Sequence, residues 1–286
     1  MKKNKISYYV INLIFIICAI FFINFTIFQD SVFSLPKTLI ILGLFVLTHF
    51  IRFIRMYFIL LEDLINPNRF LQLYLKTTFV STLIPYKIGE IFKMYCYGVE
   101  TNSYSKGIIA VLIEKFFDAI ILCAFMIPHA VQNTSPNPLL IIMLVFIFMT
   151  ITVYCSFERT YGYLNQFLIR RGGGNKSLTI LKILEAAKNA FDNTKRTLRG
   201  RATILLLLSL FAWIIETILV VFMNSDSGID FNSIYAYIND AFLGINNVFF
   251  NYYISLCTII FPTIIAIIYG KKYFIILKNR ERSKHV

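Results

Sequence analysis

Charged side chains within apolar sequence are the part of this chain that could bind a ligand. Residues 84–93 place a helix-breaking proline, two lysines, a glycine and a carboxylate between two apolar stretches: Pro85, Lys87, Gly89, Glu90 and Lys93. Backbone that departs from a helix is tolerated at membrane depth only where protein or a water-filled cavity surrounds it, and an ionisable residue there is expected to be functional. We therefore predict a turn inside the membrane that protein, rather than lipid, surrounds.

A second set of charges recurs at helical spacing in the neighbouring apolar segments. Its members are Arg52, Arg55, Glu114, Lys115, Asp118 and Glu216. Two carboxylates one helical turn apart repel each other unless cations match them, and the planar fork of arginine suits a phosphate group. One interpretation is a charged cavity in which the cations hold a lipid phosphate and the carboxylates hold the cations. The alternative is a structural network of ion pairs that locks the turn to the neighbouring helices.

Four residues in or near these sets carry separate expectations. Gly89 would let the backbone approach a head group, and a helix beginning near it would point free N–H groups at an anion. Arg55 lies close enough to the predicted interface for its side chain to reach water, which favours a structural role. His49 and Trp213 are interpreted as packing residues. The five cysteines show neither disulfide nor metal-ligand spacing.

Composition places the chain among helical membrane proteins. Of its 286 residues, 58% are hydrophobic and 15% are charged, whereas about a quarter of the residues in a soluble domain are charged. The net charge of +13 would indicate a nucleic-acid partner in a soluble protein, but here the positive-inside rule explains it. The sequence contains no polar stretch long enough for a soluble catalytic domain and no nucleotide-binding loop. We therefore predict neither an enzyme nor a bound cofactor or metal.

Six apolar segments predict membrane spans, at residues 8–28, 38–61, 107–127, 139–157, 202–223 and 252–269. Residues 70–97 and 232–250 are too short or too polar to cross twice, and they predict re-entrant hairpins. Residues 158–201 form a polar loop with an amphipathic helix on the membrane surface or under the bundle. The apolar positions of that helix are Ile180, Leu184, Ala187, Phe191, Thr194 and Leu198.

The distribution of basic residues selects one topology. Suppose that each hairpin leaves the membrane on the side from which it entered. Both termini and residues 158–201 are then cytoplasmic, and Lys37 is the only one of the 28 basic residues outside. The prediction is thus a single all-α polytopic domain in the cytoplasmic (inner) membrane, with about six transmembrane helices and two re-entrant helical hairpins. Hairpins that enter from opposite faces would fit inverted repeats with a substrate site near the midplane.

The ordered set of charges resembles the transmembrane region of lysylphosphatidylglycerol synthases, a flippase-like membrane domain that also occurs as a stand-alone protein. The family pattern has an arginine-bearing helix, a Pro-Gly-x-x-Gly-Glu turn with a following basic residue, a Glu-Arg-x-x-Asp helix and a later aromatic-x-x-glutamate helix. The matching positions here are Arg52 and Arg55, residues 85–90 with Lys93, residues 114–118, and Trp213 with Glu216.

Three positions depart from the family pattern. Tyr86 replaces the first glycine of the turn, and Lys115 replaces the arginine of the later helix. The second proline- and glycine-rich turn, expected near residues 241–250, is reduced to Gly244 among asparagines. The chain also lacks the soluble aminoacyl-transferase domain of the name-giving synthases, so their synthase activity is not expected.

The resemblance implies translocation or handling of an aminoacylated or polyprenyl-linked lipid in cell-envelope biogenesis. The charged residues named above would then bind the substrate, and the partners would be a membrane lipid or lipid-linked saccharide and an envelope-biosynthesis enzyme. Two alternatives stay open. One is an integral-membrane transferase that acts on polyprenyl-phosphate-linked sugars. The other is a non-transporting scaffold that holds a biosynthetic enzyme through residues 158–201.

Overall fold

A computed structural model describes residues 35–83, 88–132, 138–171, 175–223, 238, 256–268 and 270. Within these ranges every element is helical, and the all-helical architecture predicted from the sequence is confirmed. The helices are α1 (Leu35–Ile59), α2 (Pro67–Leu83), α3 (Ile88–Glu100), α4 (Tyr104–Gln132), α5 (Pro138–Arg171), α6 (Asn175–Leu198), α7 (Ala202–Met223) and α8 (Leu256–Ile268). A short 3₁₀ turn, Leu61–Asp63, follows α1.

Three of the described helices are long and apolar enough to cross a membrane: α1, α5 and α7. The helix α8 is apolar but shorter, and α4 interrupts its apolar sequence with Glu114, Lys115 and Asp118. The predicted first span at residues 8–28 lies outside the described residues. So does the second predicted hairpin at residues 232–250, apart from Ile238, and so do both termini.

Helices α2 and α3 form an antiparallel hairpin. At its open end Arg69 Nε lies 2.6 Å from Glu100 Oε1, and the rings of Phe70 and Tyr97 stack at 6.0 Å between centroids. The 17 residues of α2 extend for about 25 Å at 1.5 Å per residue, less than the hydrocarbon thickness of about 30 Å. The open end will be called the mouth of the hairpin. A hairpin of this length fits the prediction that residues 70–97 enter and leave on one side.

Glycines allow α3 to pack closely on both of its neighbours. A Cβ atom on Gly107 of α4 would lie 2.3 Å from the carbonyl oxygen of Met94 and 2.4 Å from the amide nitrogen of Gly98. On the other side, a Cβ atom on Gly89 would lie 2.3 Å from Cα of Ser81 in α2. Small residues that bring helix backbones together are the usual means of tight packing in membranes. Helices α2, α3 and α4 therefore form one closely packed layer.

Three apolar clusters hold this layer against the other helices. One surrounds Phe70 and Tyr97 and includes Met56 of α1 and Leu205 of α7. Another joins α8 to α1 and α2 through residues such as Phe261. The last, centred on the distal half of α4, includes residues of α5 and α7.

Helix α5 is longer than the sequence analysis predicts. The predicted span ends at Phe157, but the helix continues to Arg171 and is followed by α6, so residues 158–201 are mostly a helical hairpin rather than a loop. The reason is that polarity alone does not end a helix. Residues 158–171 contain no proline and only one glycine, Gly162, and a helix tolerates a single glycine at a cost of about 1 kcal/mol. We call residues 158–198 the α5–α6 arm.

The apolar stripe of α6 contacts protein. Phe191 stacks on Phe157 at 4.6 Å between ring centroids and lies 5.2 Å from the Tyr154 ring, while Leu198 packs against the cluster around Phe70. Of the six predicted apolar positions, Ile180 is the exposed one. This packing matches the predicted position under the bundle rather than the one on a membrane surface.

Candidate functional site

Arg55 is the centre of the charged residues that the fold brings together. Its guanidinium donates to both carboxylate oxygens of Asp118, at 2.5 and 3.2 Å. It also donates to Glu114 at 2.9 Å and to the hydroxyl of Ser209 at 2.7 Å. The side chain is 0% exposed, so the prediction that it reaches water is wrong. Helices α4 and α7 supply partners on two sides and enclose it.

Glu114 joins this arginine to the hairpin. Lys93 of α3 donates to its second carboxylate oxygen at 2.5 Å, and both side chains are almost completely buried. Lys93 lies seven residues before Glu100, hence about 10 Å from the mouth along the helix axis. A cation and a carboxylate at this depth are paired with each other rather than hydrated.

Arg52 extends the set to α7. It forms an ion pair with Glu216, and its Cζ lies 5.4 Å from the centroid of the Trp213 ring, a cation–π contact. Trp213 Nε1 in turn donates to Asp118 at 3.0 Å. The interpretation of Trp213 as a packing residue is therefore incomplete, since it connects two ion pairs.

Ser209 is a member of this hydrogen-bonded set that the sequence analysis did not name, and Trp213 was named there only for packing and for the family pattern. A signal was present, because Ser209, Trp213 and Glu216 follow one another at intervals of four and three residues and so share a face of α7. That face becomes recognisable only when Arg52 and Arg55 are known to lie opposite it.

Six side chains form what we call the ion-pair core: Arg55, Lys93, Glu114 and Glu216 are buried, and Arg52 and Asp118 are partly buried. Three cations face three carboxylates, and the described contacts balance their charges. Burial makes such a set sensitive to the loss of any member, because removing one partner of a buried pair costs about 3–5 kcal/mol. The core thus fixes α3 to α4 and both to α1 and α7.

Glu90 and Lys115 form a second, more peripheral connection between α3 and α4. Their charged atoms are 2.7 Å apart, and their side chains are 22% and 43% exposed. The other carboxylate oxygen of Glu90 is buried and has no hydrogen-bond partner among the described residues. Pro85 and Lys87, which precede it in the sequence, lie outside those residues.

Gly89 has a different role from the predicted one. The side where a Cβ atom would stand is filled by Ser81, so this face is not open to a head group. What the glycine provides is close contact between the two arms of the hairpin. His49 packs as predicted, with its ring centroid 4.5 Å from that of Phe45 and 4.8 Å from that of Phe261.

The arrangement suits an anionic ligand better than a metal. Within the described ranges, no three His, Cys, Asp or Glu side chains are grouped so that they could hold a metal ion. Cations are abundant, and they differ in accessibility. Lys115 is the most exposed, Arg52 follows at 18%, and Lys93 and Arg55 are enclosed.

A comparison with protein-family models found a match over most of the chain. The model of the lysylphosphatidylglycerol synthase TM region matches residues 9–246. The chain belongs to this family. No curated protein and no solved structure gave a match.

Membership of the lysylphosphatidylglycerol synthase TM region family confirms the resemblance drawn from the motif residues. The matched range includes the whole ion-pair core, the pair of Glu90 and Lys115, and the α5–α6 arm. Together with the apolar spanning helices, it makes this chain an integral membrane protein.

Proposed function

We propose that this protein is a flippase-like membrane transporter that translocates or handles an anionic lipid or lipid-linked saccharide in cell-envelope biogenesis. The observation that carries the proposal is the ion-pair core. It joins a helical hairpin shorter than the bilayer to helices that are long enough to cross it. Charges are costly at membrane depth and generally mark a substrate pathway there. Family membership favours a lipid as the substrate.

The chemistry of transport would be an exchange of ion-pair partners. A cation that already faces a carboxylate can accept a phosphate in its place without ever being unpaired, whereas an unpaired cation in hydrocarbon is expensive. The displaced carboxylate must then find another donor. Two of the three carboxylates of the core have a second donor close by, because Glu114 contacts both Lys93 and Arg55, and Asp118 contacts both Arg55 and Trp213.

The exposed fractions of the cations give the order in which a head group would meet them. Lys115 is reached first, then Arg52, while Arg55 has no exposed surface. Arg55 therefore suits a structural role, and Lys115, Glu90 and Arg52 suit direct contact with substrate. The protein would lie in the cytoplasmic membrane with both termini on the cytoplasmic side.

A leaflet-resolved assay on proteoliposomes tests the proposal. Phosphatidylglycerol, its lysyl ester and a polyprenyl-phosphate-linked sugar would each be followed from one leaflet to the other. We expect transport of one of them by the wild type and a reduction of about tenfold in Lys115→Gln and Glu90→Gln. Lys182→Gln, which alters an exposed lysine of α6, is the matched control and should transport normally. Absence of transport of all three lipids by the wild type would refute the proposal.

The α5–α6 arm supports a second candidate function, the non-transporting scaffold for an envelope-biosynthesis enzyme. Its surface carries large apolar side chains that no described residue covers: Tyr163, Ile169, Leu178 and Ile183 are 60–70% exposed. Large apolar side chains exposed on a polar arm are a feature of surfaces that contact another protein.

Substitutions on the arm separate the two candidates. Leu178→Ser and Ile183→Ser change only its exposed side, whereas removing α6 would also damage the cluster around Phe70, to which Leu198 contributes. If the protein is a scaffold, these variants should lose function in cells. Transport by the purified variants should then equal that of the wild type, whether or not the wild type transports lipid. Loss of transport in proteoliposomes by the same variants would contradict the scaffold.

A further inference from the structure

Lys76 of α2 is a cation that stands apart from the ion-pair core. It is exposed, and among the described residues no carboxylate lies within ion-pair distance of its ammonium group. Its described partner is the ring of Phe92 in α3, whose centroid is 5.7 Å from Nζ. Every cation of the core, by contrast, faces at least one carboxylate.

The position of Lys76 is deep within the hairpin. It follows Arg69, at the mouth, by seven residues, and Phe92 precedes Glu100 by eight, so both lie about 10–12 Å from the mouth along their helices. A lysine at the edge of the hydrocarbon usually extends its ammonium group towards water. Here the ammonium group lies instead over the ring of Phe92, a residue at a similar distance from the mouth.

An apolar cavity adjoins this cation. It has a volume of about 220 Å³ and lies between α2 and α8, lined by Gln72, Leu75, Lys76, Ile265 and Ile268. An apolar cavity of about 150 Å³ is large enough to bind benzene, so this one can accept a segment of an acyl chain. Its polar lining residues are Gln72 and Lys76.

From these observations we infer that Lys76 and the α2–α8 cavity bind an anionic phospholipid. The phosphate would take the place next to the ammonium group that no described carboxylate occupies, and an acyl chain would lie along Ile265 and Ile268. A cation within hydrocarbon is stabilised by an anion at the same depth, and Gln72, one helical turn nearer the mouth, can donate to a head-group oxygen. A lipid satisfies both the charge and the apolar wall, whereas a free phosphate satisfies only the charge.

This inference deepens the proposed function, because it assigns phosphate binding to one cation of the hairpin. It rests on the proposed function only for the choice of a lipid as the ligand. A lipid that stays bound there without crossing the membrane would still satisfy it. Equilibrium binding and transport are therefore separate readouts. Binding that depends on Lys76 in a protein that transports nothing would refute transport and leave this site standing.

Native mass spectrometry of the purified protein in detergent, titrated with phosphatidylglycerol or phosphatidylcholine, tests the inference. We expect Lys76→Gln to weaken phosphatidylglycerol binding by about tenfold or more, the loss of one charge-assisted contact. Lys76→Arg should retain binding, and Lys182→Gln on the exposed face of α6 is the control for the loss of one positive charge. Ile268→Phe, which fills the cavity and keeps the lysine, should weaken binding by several-fold.

Three results would overturn the inference. Wild-type affinity in Lys76→Gln would show that the lysine does not hold the lipid. Equal affinity for phosphatidylcholine and phosphatidylglycerol would show that net negative charge is not recognised. Thermal stabilisation by inorganic phosphate equal to that by phosphatidylglycerol, and lost in the same variant, would show that the cavity contributes nothing and that the ligand is not a lipid.

Discussion

Two pairs of antiparallel helices, the α2–α3 hairpin and the α5–α6 arm, differ in where their charges lie. The hairpin is closed by the contact of Gly89 with Ser81, and its buried Lys93 pairs with Glu114 of the neighbouring helix α4. The arm uses stacked aromatic rings, with ion pairs such as Glu158–Lys195 that remain more than half exposed. Charged residues therefore contribute strongly to stability next to the hairpin, where they are buried, and contribute little in the arm, where they are exposed. What separates the two cases is access to water, which screens a charge and tolerates its loss.

Replacing Arg55 is expected to have the largest effect. Arg55→Met leaves Glu114 and Asp118 buried with fewer donors, and we expect a loss of about 3–5 kcal/mol in the free energy of unfolding. Thermal unfolding of the purified protein in detergent measures it. Lys188→Met, which breaks an ion pair with Asp192 on the arm, is the matched control and should cost no more than about 0.5 kcal/mol. Equal melting temperatures of the two variants would abolish the proposed difference between buried and exposed ion pairs.

Glycine substitutions make the same comparison without changing charge. Gly107→Ala forces the backbones of α3 and α4 apart, and overpacking of this kind costs about 1–3 kcal/mol. Gly162→Ala in the arm meets no atom within 4 Å and should stabilise its helix by up to about 1 kcal/mol. Opposite shifts in melting temperature would support close packing of the hairpin layer. A stabilised Gly107→Ala would show that the helices have room to separate.

Trp213→Phe isolates one contact at the edge of the ion-pair core. The ring beneath Arg52 is largely kept, while the N–H that Asp118 accepts is lost. We expect a destabilisation of about 1.5 kcal/mol, typical of a hydrogen bond to a charged group. In a double-mutant cycle with Asp118→Asn, the two losses should be markedly less than additive. Additive losses would mean that the indole N–H contributes nothing through Asp118.

The smallest effect is expected for the exposed ion pair on the surface of the α5–α6 arm. Lys195→Gln removes the partner of Glu158 on the surface of the arm, and water replaces the lost contact. We expect no measurable change in melting temperature, either at low salt or at about 1 M salt, where charges are screened beyond about 3 Å. A salt-dependent loss of stability would show that the arm is held electrostatically after all.

Much of this fold could be read from the sequence because hydrophobicity and charge act locally. Apolar runs predicted the positions of α1, α4, α7 and α8, and the interrupted stretch at residues 70–97 predicted a hairpin. The end of α5 was misplaced because hydropathy reports where a helix leaves an apolar environment, not where it ends. Only the glycines at 172–174 carried that information.

The members of the site were easier to predict than their roles. Charged residues in apolar sequence identified all six members of the ion-pair core, but the enclosure of Arg55 depends on how α4 and α7 pack around it. Likewise, the contact between Gly89 and Ser81 is a property of two backbones meeting. Lys76 was not part of the predicted site, because nothing in the sequence distinguishes a lysine with a carboxylate partner from one without.

Because the ion-pair core contains equal numbers of cations and carboxylates, it has no net charge on which the transmembrane voltage could act. Moving a single charge across a membrane potential of 100 mV changes its free energy by about 2.3 kcal/mol. For three positive and three negative groups that move together, these contributions cancel. Voltage would then act only on what is added to this set. A phosphate paired with Lys76 would move as a neutral unit, whereas a phosphate bound without a cation would be driven or opposed by the membrane potential.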